Sequence, residues 1–138
     1  MEQAMQVGIG QNPDSPDELV PDGFMFIGEL AKLTGADPKT IRFYERAELL
    51  SPPRHGRFRT YMASDVRRLQ NVLMLRRLGV PIAQIRQIFD LVGGDADIMS
   101  SDKAVAMLRL HLEALRSKQA EIIEQIEQTS SALKSLAA

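Results

Sequence analysis

The apolar positions that follow residue 26 repeat with the period of a helix. Small and apolar side chains recur there at spacings of three and four: Ile27, Leu30, Ala31 and Thr34. This spacing predicts a short helix that ends at Gly35. A second short helix is predicted to follow at once, because Asp37 is a favoured N-cap residue and Pro38 suits the first helical position. Two short helices joined by a tight turn are typical of a helix-turn-helix.

The pattern changes from helical spacing to alternation in the stretch PPRHGRFRTY, residues 52–61. The two prolines at its start are incompatible with a helix, and Gly56 stands before alternating cationic and aromatic side chains. We therefore expect a small hairpin, which would form a wing beside the two helices.

Two further helices are predicted between residues 64 and 92. Ser64 with Asp65 is expected to cap the first of them, which ends at Gly79, and Pro81 opens the second. The core side chains of the first are predicted to be Val66, Leu69 and Leu73. Those of the second are predicted to be Ile82, Ile85, Phe89 and Val92. The stretch GGDADIMSS, residues 93–101, breaks the pattern and predicts a hinge.

The last stretch, from residue 102 onward, carries an a/d heptad seam. The residues predicted to form a dimer through it are Val105, Leu108, Leu112, Leu115, Gln119, Ile122, Ile126, Thr129 and Leu133. The seam could instead pack back on the preceding domain, but a helix that rises ~1.5 Å per residue would overshoot a domain this small. A self-associating coiled coil is therefore the favoured interpretation.

The charges that flank the seam favour an antiparallel pair of helices. Basic side chains occupy the e and g positions of the first half: Arg109, His111, Arg116 and Lys118. The same positions of the second half are neutral. A parallel pair would crowd the positive ends together, whereas an antiparallel pair sets each positive half beside a neutral half.

The composition limits the classes of protein to consider. With 138 residues, of which 44% are hydrophobic and 25% charged, the chain is expected to be soluble and to form either one compact domain of about 100 residues or a smaller domain with an extension. No apolar run approaches the ~20 residues of a membrane span, and residues 1–23 lack the marks of an export signal, so a cytoplasmic protein is expected. Without cysteine, the chain cannot carry a disulfide, a thiolate metal site or a cysteine nucleophile.

Charge is unevenly placed along the chain, although the formal net charge is only -1. Residues 1–23 carry five acids and no base, and their content of Pro, Gly, Asp and Asn predicts a disordered acidic tail. Residues 24–90 carry twelve Lys and Arg against six Asp and Glu, a net charge of +6. This excess either solvates helix faces or attracts a polyanion, and charge alone does not decide between the two.

The second helix carries most of the candidate DNA-binding residues, and a helix this narrow fits the major groove. They are Lys39, Thr40, Arg42, Phe43, Tyr44 and Arg46. At ~100° per residue most of them share one face, opposite Ile41. Phe43 would suit contact with a thymine methyl group or a sugar. Tyr44 lies off that face, so a core role and a phosphate contact through its hydroxyl remain equally open.

The hairpin and the third helix add three further candidates. Arg57 and Arg59 share one side of a two-residue period, where they would straddle the DNA backbone. Arg67 opens the third helix near its positive dipole end, where a phosphate would bind, although a solvated helix face explains it equally well. An enzyme is not predicted, because His55 and His111 lie far apart beside no evident nucleophile.

Together these stretches resemble the MerR family of bacterial transcription regulators. The resemblance rests on IGELAKLTGADPKTIRFYERAELLSPPR, RFRTY, DVRRLQNVLMLRRLGVPIAQI and the terminal heptads, in that order. It implies a homodimer, joined by an antiparallel coiled coil, that binds and distorts promoter DNA so that RNA polymerase can engage it. It also implies DNA contacts by Arg42 and Tyr44 in the second helix and by Arg59 and Tyr61 in the wing.

Two departures from the family pattern bear on these expectations. The family wing usually reads Gly-Tyr-Arg-x-Tyr, whereas Arg57 and Phe58 stand here in place of the glycine and the first tyrosine. Metal-sensing and iron–sulfur members of the family use cysteines, which this chain lacks. Asp95, Asp97 and Asp102 are better explained as caps and loop acids than as cation ligands, so no metal and no cofactor is predicted.

The sequence therefore predicts a mainly α protein with a winged helix-turn-helix DNA-binding domain over residues 24–92. A hinge over 93–101 and a dimerisation helix over 102–138 are predicted to follow it, and the tail of 1–23 precedes it. The predicted function is that of a homodimeric, sequence-specific regulator that binds double-stranded promoter DNA. The alternative is an adaptor whose coiled coil binds a protein partner and whose basic domain is incidental.

Overall fold

The computed structural model describes residues 24–51, 54–55 and 58–137. Within these ranges the helices are α1 (Ile27–Thr34), α2 (Pro38–Arg46), α3 (Ala63–Arg77), α4 (Ile82–Val92) and α5 (Asp102–Ala137). Two short strands, β1 (Arg54–His55) and β2 (Phe58–Arg59), lie between α2 and α3. The mainly α class is confirmed. The predicted acidic tail and Arg57 lie outside the described residues.

The chain forms two compact units, the first ending at Ile98 and the second beginning at Met99. The boundary falls inside residues 93–101, where the hinge was predicted, and the hinge itself stays a prediction. In the part of the chain that the structure describes, no helix is both long and apolar enough to cross a membrane.

The turn between α1 and α2 is built from the residues that the sequence indicated. Gly35 ends α1 with a φ of 80°, and its N–H donates to the Ala31 carbonyl at 2.8 Å. The left-handed conformation at this position favours glycine. Asp37 then caps α2 by accepting the Thr40 N–H at 2.8 Å, and Pro38 occupies the first turn. The two helices pack against each other as a helix-turn-helix.

The hairpin predicted after α2 is present. β1 and β2 are antiparallel, with Arg54 opposite Arg59 and His55 opposite Phe58. The chain leaving β2 is then fastened to the residue that precedes α1, because Met25 and Tyr61 exchange backbone hydrogen bonds of 2.6 and 2.8 Å. The wing is therefore tied to the start of the helix-turn-helix.

Helix α3 begins two residues earlier than the sequence indicated. Its N-cap is Met62, and Asp65 reaches back from inside the first turn to accept the Met62 N–H at 2.8 Å. A carboxylate at this position satisfies a free N–H of the helix start as an N-cap side chain would, so the capping role of Asp65 is retained while the predicted boundary shifts.

In the core of the first unit, α3 buries side chains outside the single apolar stripe that the sequence predicted. Val66 and Leu69 are buried as expected, but Leu73 is only half-buried, and Val72 and Leu75 are buried instead. Helix α3 packs against both α1 and α4, so two of its faces are covered rather than one. In α4, Ile88 is buried together with the predicted Ile85 and Phe89, whereas Ile82 and Val92 are only half-buried.

The side chain of Asn71 contacts the loop after α4. The amide of Asn71 in α3 donates to the Gly94 carbonyl at 2.8 Å and to the Ala96 carbonyl at 2.9 Å. Ile98, in a short 3-10 turn (Ile98–Ser100), is buried at the end of this loop. Backbone carbonyls inside a fold need such partners, so Asn71 closes the first unit.

The second unit is dominated by one long helix. Ser101 caps it, because the Ala104 N–H donates to the Ser101 hydroxyl at 3.3 Å. Helix α5 comprises 36 residues, about 54 Å at ~1.5 Å per residue. From residue 112 to residue 137 every side chain is exposed. The nine predicted dimerisation residues all lie in this helix, where Val105 and Leu108 are half-buried and the others are exposed.

Candidate nucleic-acid interface

Helix α2 separates its apolar and cationic residues onto opposite faces. Ile41 is fully buried and Tyr44 is 7% exposed, so this side of the helix belongs to the core. The other side is exposed and consists of Lys39, Arg42, Phe43 and Arg46. The cations that a polyanion would meet are therefore available on one continuous surface.

Phe43 is an apolar side chain within this cationic face. It is 45% exposed, and its ring meets the Tyr44 ring edge to face at a centroid distance of 5.4 Å. Because the Tyr44 ring is buried, it supports Phe43 from behind. Tyr44 therefore lies in the core, and the phosphate contact predicted for its hydroxyl stays a prediction.

The first turn of α2 is fixed by its cap. The backbone N–H of Thr40 donates to Asp37, and this bond is the main reason that the pKa of Asp37 lies below its ordinary value. Thr40 itself is half-buried. The DNA contact predicted for Thr40 stays a prediction.

The wing arginine is paired with a carboxylate of α2. The Nε of Arg59 lies 2.6 Å from Oε2 of Glu45, and the Arg59 side chain keeps 35% of its surface exposed while Glu45 keeps 10%. Glu45 was absent from the predicted site. The signal that could have found it is one acid placed among the cations of α2, with a basic hairpin following in the chain.

Tyr61 lies in the core rather than on the surface. Its side chain is fully buried, and its hydroxyl donates to Oε1 of Glu45 at 3.0 Å. Burial, followed by this hydrogen bond, holds the pKa of Tyr61 well above its ordinary value. The DNA contact predicted for Tyr61 stays a prediction.

Because α3 begins at Ala63, Arg67 and Arg68 lie in its second turn rather than at its start, and their surroundings differ. Arg67 is half-buried. Arg68 donates through Nε to the Leu49 carbonyl, and its guanidinium lies 4.8 Å from the centre of the Phe89 ring. Arg68 therefore joins α2's exit to α4 and serves the fold. The contact predicted for Arg67 stays a prediction.

A small polar cavity of about 260 Å³ lies beside Arg68. Its lining consists of Ser51, Ser64, Asp65, Arg68 and Asp95. Burial raises the pKa of Asp65, and the charge of Arg68 partly opposes that rise. None of the residues that line this cavity belongs to the cationic face of α2.

Two family models match the chain. The model described as "MerR HTH family regulatory protein" matches residues 25–91, and the one described as "MerR, DNA binding" matches residues 66–137. This chain belongs to the MerR family. The matches cover the helix-turn-helix, the hairpin and the long C-terminal helix, which are the elements on which the resemblance rested.

Individual MerR-type relatives agree with this assignment. Heavy metal-dependent transcription regulator 2 of Rhizobium meliloti (strain 1021) is 37% identical over 102 residues, which cover 72% of this chain and 68% of that protein. The HTH-type transcriptional regulator ZntR of Escherichia coli (strain K12) is 37% identical over 67 residues, covering 47% and 48%. A ZntR homolog of Haemophilus influenzae is 29% identical over 114 residues, covering 78% and 84%. The chain is a DNA-binding transcription regulator.

In this MerR protein the described residues include no group of three or more His, Cys, Asp or Glu side chains placed to hold a metal ion. The dependence on heavy metals in the name of the Rhizobium protein is a property of that relative. The exposed cations of α2, with Phe43 among them and Arg59 of β2 beside them, form the candidate interface.

Proposed function

We propose that the chain acts as a homodimer that places α2 of each copy in the major groove at two half-sites of one promoter. The observation that carries this proposal is the division of α2 into a buried face and an exposed cationic face. Arginine on such a helix can donate paired hydrogen bonds to guanine, and lysine can contact phosphates. Because Ile41 anchors the helix in the core, the cationic face is presented on a rigid element.

The wing would extend this contact along the DNA backbone. Arg59 in β2 keeps about a third of its side chain exposed next to α2. A guanidinium at that position suits a phosphate beside the groove that α2 enters. Arg57, which lies outside the described residues, is proposed to contribute in the same way.

The exposed apolar seam of α5 supports the homodimer. Leucine and isoleucine side chains at a and d positions are exposed there: Leu112, Leu115, Ile122, Ile126 and Leu133. A row of large apolar side chains on a single helix, interrupted here at Gln119 and Thr129, marks an interaction surface, and the heptad spacing fits a second helix of the same kind. An antiparallel pair that uses the heptad positions from Val105 to Leu136 would bring Leu108 to Leu133 of the partner subunit.

Membership in the MerR family supports the remaining parts of the function. We infer that the dimer distorts its promoter so that RNA polymerase can engage it, and that it works in the cytoplasm, where chromosomal DNA lies. We propose no catalytic activity, since the relatives above are named as regulators of transcription.

Titration of the purified protein against its own upstream DNA tests the DNA-binding part. Fluorescence anisotropy should give tight binding to a pseudo-palindromic fragment, and the affinity should fall steeply as salt rises, because several phosphates are neutralised per dimer. Affinity that does not change with salt would contradict the proposal. The double variant with Arg42→Ala and Arg59→Ala should lose DNA, whereas an adaptor that uses only its coiled coil would keep its partner.

The orientation of the dimer can be tested by disulfide formation, because the natural chain has no cysteine. A chain carrying both Leu108→Cys and Leu133→Cys should form an intermolecular disulfide under mild oxidation if the pair is antiparallel. The chain with Leu108→Cys alone should not, since the two sulfurs would then lie about 38 Å apart at ~1.5 Å per residue. Efficient crosslinking of the single variant would indicate a parallel pair instead.

A further inference from the structure

The one acidic side chain that faces the core from the last turn of α2 joins three parts of the DNA-reading unit. Glu45 accepts from the guanidinium of Arg59 through Oε2 at 2.6 Å and from the hydroxyl of Tyr61 through Oε1 at 3.0 Å. Both oxygens of one carboxylate are thus occupied by residues from the far side of the hairpin. Tyr61 is in turn paired through its backbone with Met25, ahead of α1.

A carboxylate at this place needs an explanation. It lies on the helix whose outer face carries Lys39, Arg42 and Arg46, and a negative charge beside a polyanion is repelled. The Glu45 side chain is only 10% exposed, so it is shielded from DNA by the groups that it binds. The negative charge of Glu45 therefore interacts mainly with Arg59 and with the Tyr61 hydroxyl, and only weakly with DNA.

The pairing leaves most of the Arg59 guanidinium available. A guanidinium has five N–H donors in a fixed plane, and the contact with Glu45 is made at Nε. Among the residues that the structure describes, Glu45 is the ion-pair partner of Arg59, and the Arg59 side chain is 35% exposed, so its outer donors can meet another acceptor. The carboxylate thus restricts the rotamers of Arg59 before any DNA is present, which lowers the entropy lost when the arginine binds a phosphate.

We infer that Glu45 is a positioning residue for DNA binding: anchored by Tyr61, it fixes the guanidinium of Arg59 so that its outer donors meet a phosphate of the promoter. This inference rests on the proposed wing contact of Arg59. It couples the recognition helix to the wing, so that both reach the DNA as one preformed surface.

The positioning role and electrostatic repulsion predict opposite changes in DNA affinity when Glu45 loses its charge, which makes the inference testable. Glu45→Gln removes a negative charge near DNA, so electrostatics alone would raise the affinity. If Glu45 positions Arg59, the affinity must fall, because the glutamine amide has no charge to hold a guanidinium and can present its own N–H groups to it. The size of Gln and its carbonyl acceptor for Tyr61 are retained.

The experiment measures promoter affinity of the full chain by fluorescence anisotropy over a range of salt. Glu45→Gln should weaken binding about three- to tenfold. The slope of log affinity against log salt should fall by about 1 per protomer, as it should in Arg59→Ala, because the same phosphate contact is lost. The matched control is Glu48→Gln, an exposed carboxylate in the turn after α2, which should leave the affinity unchanged or slightly higher.

A double-mutant cycle separates this inference from the proposed function. Glu45→Gln should have no further effect in a chain that already carries Arg59→Ala. If Arg59→Ala weakens binding and Glu45→Gln does not, the positioning role is wrong while the wing contact stands. If Arg59→Ala itself has no effect, the proposed wing contact is wrong and the positioning role falls with it.

Folding is checked by thermal unfolding, and a second variant covers the case in which Glu45→Gln lowers the thermal midpoint. Tyr61→Phe keeps the ring and removes only the hydroxyl that anchors Glu45. It should weaken DNA binding in the same direction by a smaller factor. Unchanged affinity and salt slope in both variants would overturn the inference.

Discussion

The two units of this regulator differ in how far their large apolar side chains are buried. In the first unit Leu30, Ile41 and Leu69 are completely buried, so its core is complete within one chain. In α5 the large apolar side chains from Leu110 to Leu136 remain 42–83% exposed. A domain that buries its own core can present polar chemistry outward, whereas a helix that leaves its seam exposed needs another surface to cover it.

The exposed residues of the two units differ in the same way. The first unit exposes cations on α2, which suits a polyanion, and the second exposes leucine and isoleucine at heptad positions, which suits another helix. The comparison predicts that changes inside the first unit alter stability or DNA contact, and that changes on the seam alter assembly.

The largest expected effect is on the core of the first unit. Leu69→Ala should lower the free energy of unfolding by about 2–5 kcal/mol, because it leaves a cavity among fully buried neighbours. Both tyrosines, Tyr44 and Tyr61, lie in this unit, so tyrosine fluorescence during urea unfolding reports on it alone. Leu133→Ala on the exposed seam is the matched control and should leave that transition almost unchanged. If both variants lost the same free energy of unfolding, the seam would contribute to the stability of the first unit as its own core does, which would contradict this comparison.

Next in size is the effect of a charge on the seam. Ile122→Glu should convert the dimer to a monomer and weaken binding to a two-half-site promoter about a hundredfold, since the avidity of paired domains is lost. Sedimentation and anisotropy measure the two consequences, and the tyrosine-detected unfolding of the first unit should not change.

Leu110→Glu provides the control for that experiment. Leu110 is 66% exposed on the same helix but lies at an f position, away from the seam. It should remain dimeric and bind the promoter normally. A monomer from Leu110→Glu, or a dimer from Ile122→Glu, would show that the heptad seam is not the interface.

A smaller effect is expected from one cation of α2. Arg42→Ala should weaken promoter binding about tenfold to a hundredfold at moderate salt, with little effect on unfolding, because the side chain is exposed. Arg77→Ala removes the same charge from the exposed last turn of α3 and should cost much less affinity. Similar losses in the two variants would mean that net charge, and not the α2 face, carries binding.

The smallest effect is expected at the cap of α2 and depends on pH. The folded pKa of Asp37 is depressed, so its stabilisation is present above the ordinary value of 3.8 and is lost as the pH falls through the lowered folded value. Asp37→Ala should therefore lower the thermal midpoint near neutral pH, and its difference from the natural chain should shrink in acid. Asp37→Asn keeps the cap and should keep the midpoint while losing this pH dependence. A difference that grows in acid would contradict the assigned sign.

Local rules were sufficient for much of the first unit. Gly35 and Asp37 predicted the turn between α1 and α2, because a left-handed position and an N-cap are properties of single residues. The exposed cations of α2 followed from helical spacing once Ile41 was taken as the buried side. The antiparallel hairpin followed from alternation after the two prolines.

Contacts between distant parts of the chain were not predictable in this way. The apolar stripe predicted for the core face of α3 included Leu73, which is only half-buried, and omitted Val72 and Leu75, which are buried. No local pattern reveals that two other helices pack against α3. Tyr61 was expected at the DNA from family resemblance, yet its burial and its bond to Glu45 depend on the position of the wing.

The sequence by itself determined the helices, the hairpin, the cationic face of α2 and the heptad seam of α5, because periodicity and caps act within a few residues. The tertiary structure decided how α2 and the wing are joined. Glu45, Arg59 and Tyr61 meet where the Met25–Tyr61 pairing returns the chain from β2 to the start of α1. An ion pair between separate elements depends on the path of the backbone between them, and no local pattern encodes that path.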